Sequence, residues 1–156
     1  MSEHDSPPLP ASCQLRAHAG RDGQVRLVTR NLSFHGARQL GLDSEAEHPA
    51  ALDLLVGALA TDLLSGFGRE ATRAGVPLHD AELRLEAHLD NPLVALGVIG
   101  EPGSPALTRV VGKLFVSTDA DEPQLRALWE RACATAPVLA TLQRSADIDI
   151  TLRLVP

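Results

Sequence analysis

Aromatic side chains make up only 3% of the 156 residues, with three Phe, one Trp and no Tyr. That leaves little on which the bases of a single-stranded nucleic acid could stack. Cations are also in short supply, with Lys+Arg 14 against Asp+Glu 20 and a formal net charge of −6. Nucleic-acid and anionic-membrane surfaces both need clustered Lys and Arg, so neither is expected as a partner. Cysteine is limited to Cys13 and Cys133, which argues against a disulfide framework. The six histidines (4, 18, 35, 48, 79 and 88) include no pair at metal-ligand spacing, so no metal is expected. A glycine-rich phosphate loop and a nucleophile elbow are likewise missing, and no feature implies a cofactor.

The first twelve residues are polar and proline-rich, with neither a basic n-region nor an apolar h-region. They read as a disordered lead-in rather than a signal peptide, which makes the cytoplasm the expected compartment. Residues 13–156 have the size of one domain. The stretch from Ala50 to Gly68 is apolar and roughly as long as a membrane span. It also carries Asp53 and Asp62, whose insertion would cost several kcal/mol. A core helix is the better expectation, and no membrane partner is expected.

Periodicity orders the rest. Cys13 to Ala19 and Gln24 to Thr29 alternate around Gly20-Arg21-Asp22-Gly23, a hairpin signal. Asn31 to Arg38 reads as a third strand with Gly36 as a bulge, and Gly41 to Pro49 as a loop. The helix that follows is apolar nearly all round, which implies enclosure by other structure. Gly75 and Pro77 fit its end. Leu78 to Leu89 alternates as a half-buried strand, Asp90 to Pro105 reads as turns, and Leu107 to Thr118 resumes as a strand. Asp119 or Asp121 then caps a helix with Pro123 in its first turn. Its expected core face is Leu125, Leu128, Trp129, Ala132, Ala136, Leu139 and Ala140, with a kink or restart at Pro137. Asp147 to Val155 closes the chain as a strand. The order is β-β-β-α-β-β-α-β, an α+β class.

Two runs carry a family resemblance. Ala50-Ala-Leu-Asp53-Leu-Leu-Val-Gly57-Ala-Leu-Ala-Thr-Asp62 resembles the central-helix motif of the OsmC/Ohr (organic hydroperoxide resistance) proteins. Ala134-Thr-Ala136-Pro137-Val-Leu-Ala-Thr-Leu142 resembles their second motif, and His88-Leu-Asp-Asn91 their middle section. The resemblance implies an OsmC-like fold with a long buried central helix, in an intertwined homodimer with clefts at the subunit interface. It also implies a peroxidatic cysteine at the end of the first motif and a resolving cysteine at the start of the second. Those positions hold Asp62 and Ala136.

A thiol peroxidase needs a thiolate to attack the peroxide oxygen and a second thiol to capture the sulfenic acid. A carboxylate is a poor nucleophile toward that oxygen, and alanine has no reactive group. The expectation is therefore a stress-related OsmC-like protein without peroxidase turnover, holding a small apolar or peroxide-like molecule in its cleft. Two enzymatic alternatives stay open: a one-cysteine hydroperoxide reductase through Cys133, one helical turn before Ala136, or a site using Asp62 as base. Asp53 and Arg21 complete the cleft candidates. Asp53 matches an acidic family position and equally suits a helix start, and Arg21 resembles the family's thiolate-activating arginine and equally suits an exposed hairpin tip.

Overall fold

The computed structural model describes residues 12–19, 21, 24–37 and 46–156. The lead-in (apart from Ser12), the Asp22-Gly23 turn and most of the loop at residues 41–49 lie outside the described residues. The chain forms two compact units, Met1–Ala51 and Leu52–Pro156.

In the first unit, β1 (Arg16–Ala19), β2 (Val25–Thr29) and β3 (Leu32–Gly36) make an antiparallel meander. Its registers place Ala17, Leu27 and Phe34 in one cross-strand row and His18, Arg26 and His35 in the next. Period-two alternation thus separates apolar from polar faces, as expected of paired strands. Gly36 pairs in register with Val25, so the bulge expected there does not form.

The second unit is built around α1 (Ala51–Arg73). Leu59, Leu63, Gly66, Phe67 and Ala71 recur at spacings of three and four and form its buried face. The helix is long and apolar enough to cross a membrane by length and composition. The burial of that face in the core identifies it as a core helix. It ends where Gly75 takes φ +67°, a left-handed conformation that favours glycine. Val76 then donates back to the Ala71 carbonyl at 2.9 Å.

A second sheet holds β4 (Asp80–Leu89), β5 (Leu107–Ser117) and β6 (Asp147–Val155) in that order. β4 and β5 are antiparallel, whereas β5 and β6 are parallel. A parallel pair needs a long crossover, here α3 (Glu122–Ala134) and α4 (Pro137–Leu142). Asp121 caps α3 by accepting from the Gln124 amide at 2.9 Å, with Pro123 in the first turn as expected.

Pro137 restarts the chain as a separate helix rather than kinking a continuous one. The expected core face holds for Leu125, Leu128, Trp129, Ala132, Ala136 and Leu139, but Ala140 is exposed because the restart rotates α4 away from the periodicity of α3. The turns expected from Asp90 to Pro105 include one short helix, α2 (Pro92–Ala95). The Asn91-Pro92 pair that reads as a turn is in fact its N-cap and first residue, Asn91 accepting from Leu93 N at 3.0 Å.

The core joins α1, α3, α4 and the inner face of the second sheet. Phe67 and Trp129 meet edge to face with ring centroids 6.0 Å apart. Full burial of Leu59, Leu63 and Phe67 contributes about 1.5–3 kcal/mol each. Beside them, a Cβ built on Gly66 would lie 3.6 Å from the Ala132 Cβ, so the two backbones run close at that crossing. One turn on, Glu70 of α1 accepts from Arg131 of α3 at 3.1 Å and from Arg73 at 2.8 Å. The Arg131 hydrogen bond is the main reason its carboxyl sits below the usual carboxylate range.

Candidate functional site

The two positions where the resemblance implies thiols are brought together by this packing. Asp62 lies on α1 one turn before Gly66, and Ala136 is the N-cap of α4. Alanine provides no side-chain acceptor for the exposed amides at the start of a helix, and α4 has no cap of its own. Asp62 fills that role from another element. Its Oδ2 accepts a hydrogen bond from the Val138 N–H at 2.8 Å, across 76 residues of sequence. Val138 follows Pro137 at the second helical position, one of the two amides that an N-cap side chain ordinarily serves. The negative charge also complements the positive end of the short helix.

The carboxylate is half-buried, and α1 surrounds it with alkyl groups. Leu63 is fully buried, Leu59 lies one turn earlier on the core side, and Ala58 and Leu55 lie one and two turns earlier on the open side. Ala136 is buried at 3% exposure, its methyl group within the core. The sequence singles out both positions, but the bond from the Val138 amide to Asp62 could not be read there, because the donor is a backbone N–H made available by the helix restart.

Removing this bond has a measurable cost. Asp62→Ala leaves the Val138 amide without its charged acceptor and is expected to lower unfolding stability by about 1–2 kcal/mol. Asp62→Asn keeps a carbonyl acceptor of the same length and is expected to retain most of that stability. Urea denaturation of the two variants beside the parent protein checks both values. Equal losses in the two would show that the bond does not cap the helix.

Cys133 lies on α3 within the last turn before the break. It is a free thiol, partly buried and packed against the core cluster. Burial, and then the charge of Glu130, pushes its pKa from 9.0 up to about 11. A reactive thiol needs the opposite surroundings: exposure and a nearby cation. Cys13, in the first unit, is an exposed free thiol.

Asp53 is exposed in the first turn of α1, where a carboxylate favours the helix start. Arg21 is exposed in a turn of the first unit. Among the described residues, no group of three or more His, Cys, Asp or Glu side chains is placed to hold a metal ion.

The OsmC-like protein family model matches residues 44–151, which include α1, both sheet-forming hairpin strands after it, and the helix restart. No curated protein matches the chain. Among solved structures, the fold is similar to that of an OsmC-like protein from Mycoplasma pneumoniae, with a TM-score of 0.79 at 14% identity, covering 95% of this chain and 100% of that one. It is also similar to an organic hydroperoxide resistance protein OsmC from Legionella pneumophila, with a TM-score of 0.65 at 18% identity, covering 91% and 96%. A third similar structure is the organic hydroperoxide resistance protein OhrB of Bacillus subtilis, with a TM-score of 0.61 at 15% identity, covering 92% and 98%. With a family match over more than two thirds of its length and the same α+β architecture throughout, the chain belongs to the OsmC-like protein family.

Proposed function

We propose that this protein is an OsmC-like, stress-related homodimer that has given up thiol peroxidase turnover and keeps a cleft for a small apolar molecule between its subunits. In this reading residues 13–156 form the single folding domain of each subunit, and the protein acts in the cytoplasm.

The observation that carries the reading is the Asp62–Val138 bond. The position that would hold a nucleophilic sulfur holds a carboxylate engaged in capping α4, and the position that would hold the resolving thiol is a buried methyl group. A second subunit accounts for the apolar surface left on the outer side of α1, where Leu55 is 37% exposed. Leu96 and Ile99, after α2, are also exposed.

The one-cysteine alternative through Cys133 is opposed by a thiol pKa raised to about 11. Asp62 as a general base has its Oδ2 already occupied by the Val138 amide, which leaves Oδ1 for any ligand.

The test is consumption of cumene hydroperoxide by the purified protein with a dithiol reductant, alongside Cys133→Ser. Both proteins are expected to match the reductant blank. Turnover that disappears in Cys133→Ser would place the reactive thiol one helical turn from its family position and overturn the reading. Turnover that survives in Cys133→Ser would overturn it as well, through chemistry at another group.

A further inference from the structure

The outer face of the second sheet is charged, and its charges are sorted. β4 presents Glu82, Arg84, Glu86 and His88 on its exposed side, and β6 presents Asp147, Asp149, Thr151 and Arg153. Between them β5 presents Arg109 and Lys113 exposed, with Val111 and Phe115 half-buried. In order along the sheet, register gathers these side chains into the cross-strand rows Glu82-Phe115-Arg153, Arg84-Lys113-Thr151, Glu86-Val111-Asp149 and His88-Arg109-Asp147. The second row holds two cations and no anion, and the third holds two anions and no cation. Within one chain this sorting is unfavourable. Arg84 and Lys113 stand directly opposite on paired strands, where like charges repel. Pairs inside the chain answer part of it: Glu82 accepts from Arg84 at 2.8 Å, and Arg109 lies 3.6 Å from Asp147. Among the described residues, Lys113 and Arg153 form no ion pair.

We infer that this face docks on the same face of a second copy of the chain, about a twofold axis running between the second and third rows. Such an axis sets each strand antiparallel to its own copy and exchanges the rows end for end, an isologous contact. Arg84 then faces Glu86 of the second copy, and Arg153 faces Asp147. Arg109 falls over the Phe115 ring, Glu82 meets His88, and Thr151 is placed to donate to Asp149. Lys113 lies over Val111, with the Glu86 and Asp149 carboxylates on either side. No position meets a like charge. An axis along the strands would instead set Lys113 on Lys113 and Glu86 on Asp149, so charge selects the first arrangement. Aligned sheets stack about 10 Å apart, a gap that long side chains from both faces fill. The contact uses neither α1 nor the cleft reading given above.

Exposed ion pairs are individually weak and screened by salt, so the association is expected to be salt-sensitive. Sedimentation velocity of the full-length protein at about 20 mM and about 500 mM NaCl reads it directly. The particle is expected to have twice the mass at low salt, and its midpoint concentration for assembly to rise about tenfold at high salt. Arg153→Glu and Asp147→Lys each set like charges against each other twice over, because the axis is twofold. Each alone is expected to abolish the larger particle. Combined in one chain, they return opposite charges to the same positions and are expected to restore it. A mass that does not change with salt, a larger particle that survives either single reversal, or a double variant that fails to regain it would overturn the inference. Amide chemical shifts on dilution of the parent protein give a reading that needs no variant. They are expected to move along the four rows, and shifts confined to other surfaces would overturn the inference as well.

Discussion

Cys133 is expected to react with iodoacetamide at neutral pH about hundredfold more slowly than an unperturbed thiol, since a pKa raised from 9.0 to about 11 lowers the thiolate fraction by that factor. The thiolate is the nucleophile, and burial against the core together with the Glu130 carboxylate disfavours it. The measurement is the alkylation rate in a Cys13→Ser background, which removes the exposed thiol and leaves one reporter. The rate should climb with pH and level off only near 11. A plateau below about pH 8 would mean an activated thiol and would revive a peroxidase role for this residue.

Stability should follow the same linkage. A native pKa above the unfolded one favours the neutral thiol in the folded state. The contribution is therefore fully present below pH 9.0 and is lost as pH rises toward about 11. Cys133→Ala should show a shallower decline across that window.

Gly112→Ala is expected to cost about 1–3 kcal/mol, and Gly112→Val to reach or exceed the upper end. Gly112 sits in β5, the middle strand of the second sheet, opposite Leu85 of β4 and Ile150 of β6. A Cβ built there would lie 2.5 Å from Leu85 Cδ2 and 2.6 Å from the Arg84 carbonyl oxygen. The leucine methyl is the end of a flexible side chain and can move. The carbonyl belongs to the paired strand, so relief there means shifting backbone in a ladder that runs the length of β4.

The contrast is Gly68→Ala, where no atom beyond the helix's own nearby backbone lies within 4 Å of the added Cβ. That substitution sits inside α1 and should stabilise the protein by about 0.5–1 kcal/mol. Guanidinium unfolding of the two variants gives the comparison directly. A Gly112→Ala protein within about 0.5 kcal/mol of the parent would show that the strands separate at little cost.

Local signals carried much of the fold. Alternation marked the strands from Leu78 to Leu89 and Asp147 to Val155, and Gly75, Asp121 and Pro137 ended, started and restarted helices where backbone chemistry requires. Each of these depends on residues within a turn or two of one another. What stayed hidden depends on contacts between distant segments. Alternation in β6 says that one of its faces is buried, but not that it runs parallel to β5. The steric demand at Gly112 comes from a strand about 27 residues earlier and looks like one more member of an alternating run.

The candidate site divides in the same way. The positions to which the resemblance assigns thiols are visible as letters in two motifs, so the absence of sulfur at Asp62 and Ala136 could be read directly. The work that Asp62 does instead could not, because its partner is a main-chain N–H with no side-chain identity to recognise.

The parallel pairing of β5 and β6 also sets how much chain each strand pairing encloses. β4 and β5 face each other across the segment that holds α2, so their ladder closes a short loop. Pairing β6 with β5 encloses the whole of α3 and α4, which is a larger loop and a larger loss of chain entropy. The Asp62–Val138 bond falls within this larger loop, since Val138 lies inside the crossover. A carboxylate that pins the start of α4 to the central helix therefore divides that loop, and leaves only the short stretch from Val138 to β6 between one tether and the next.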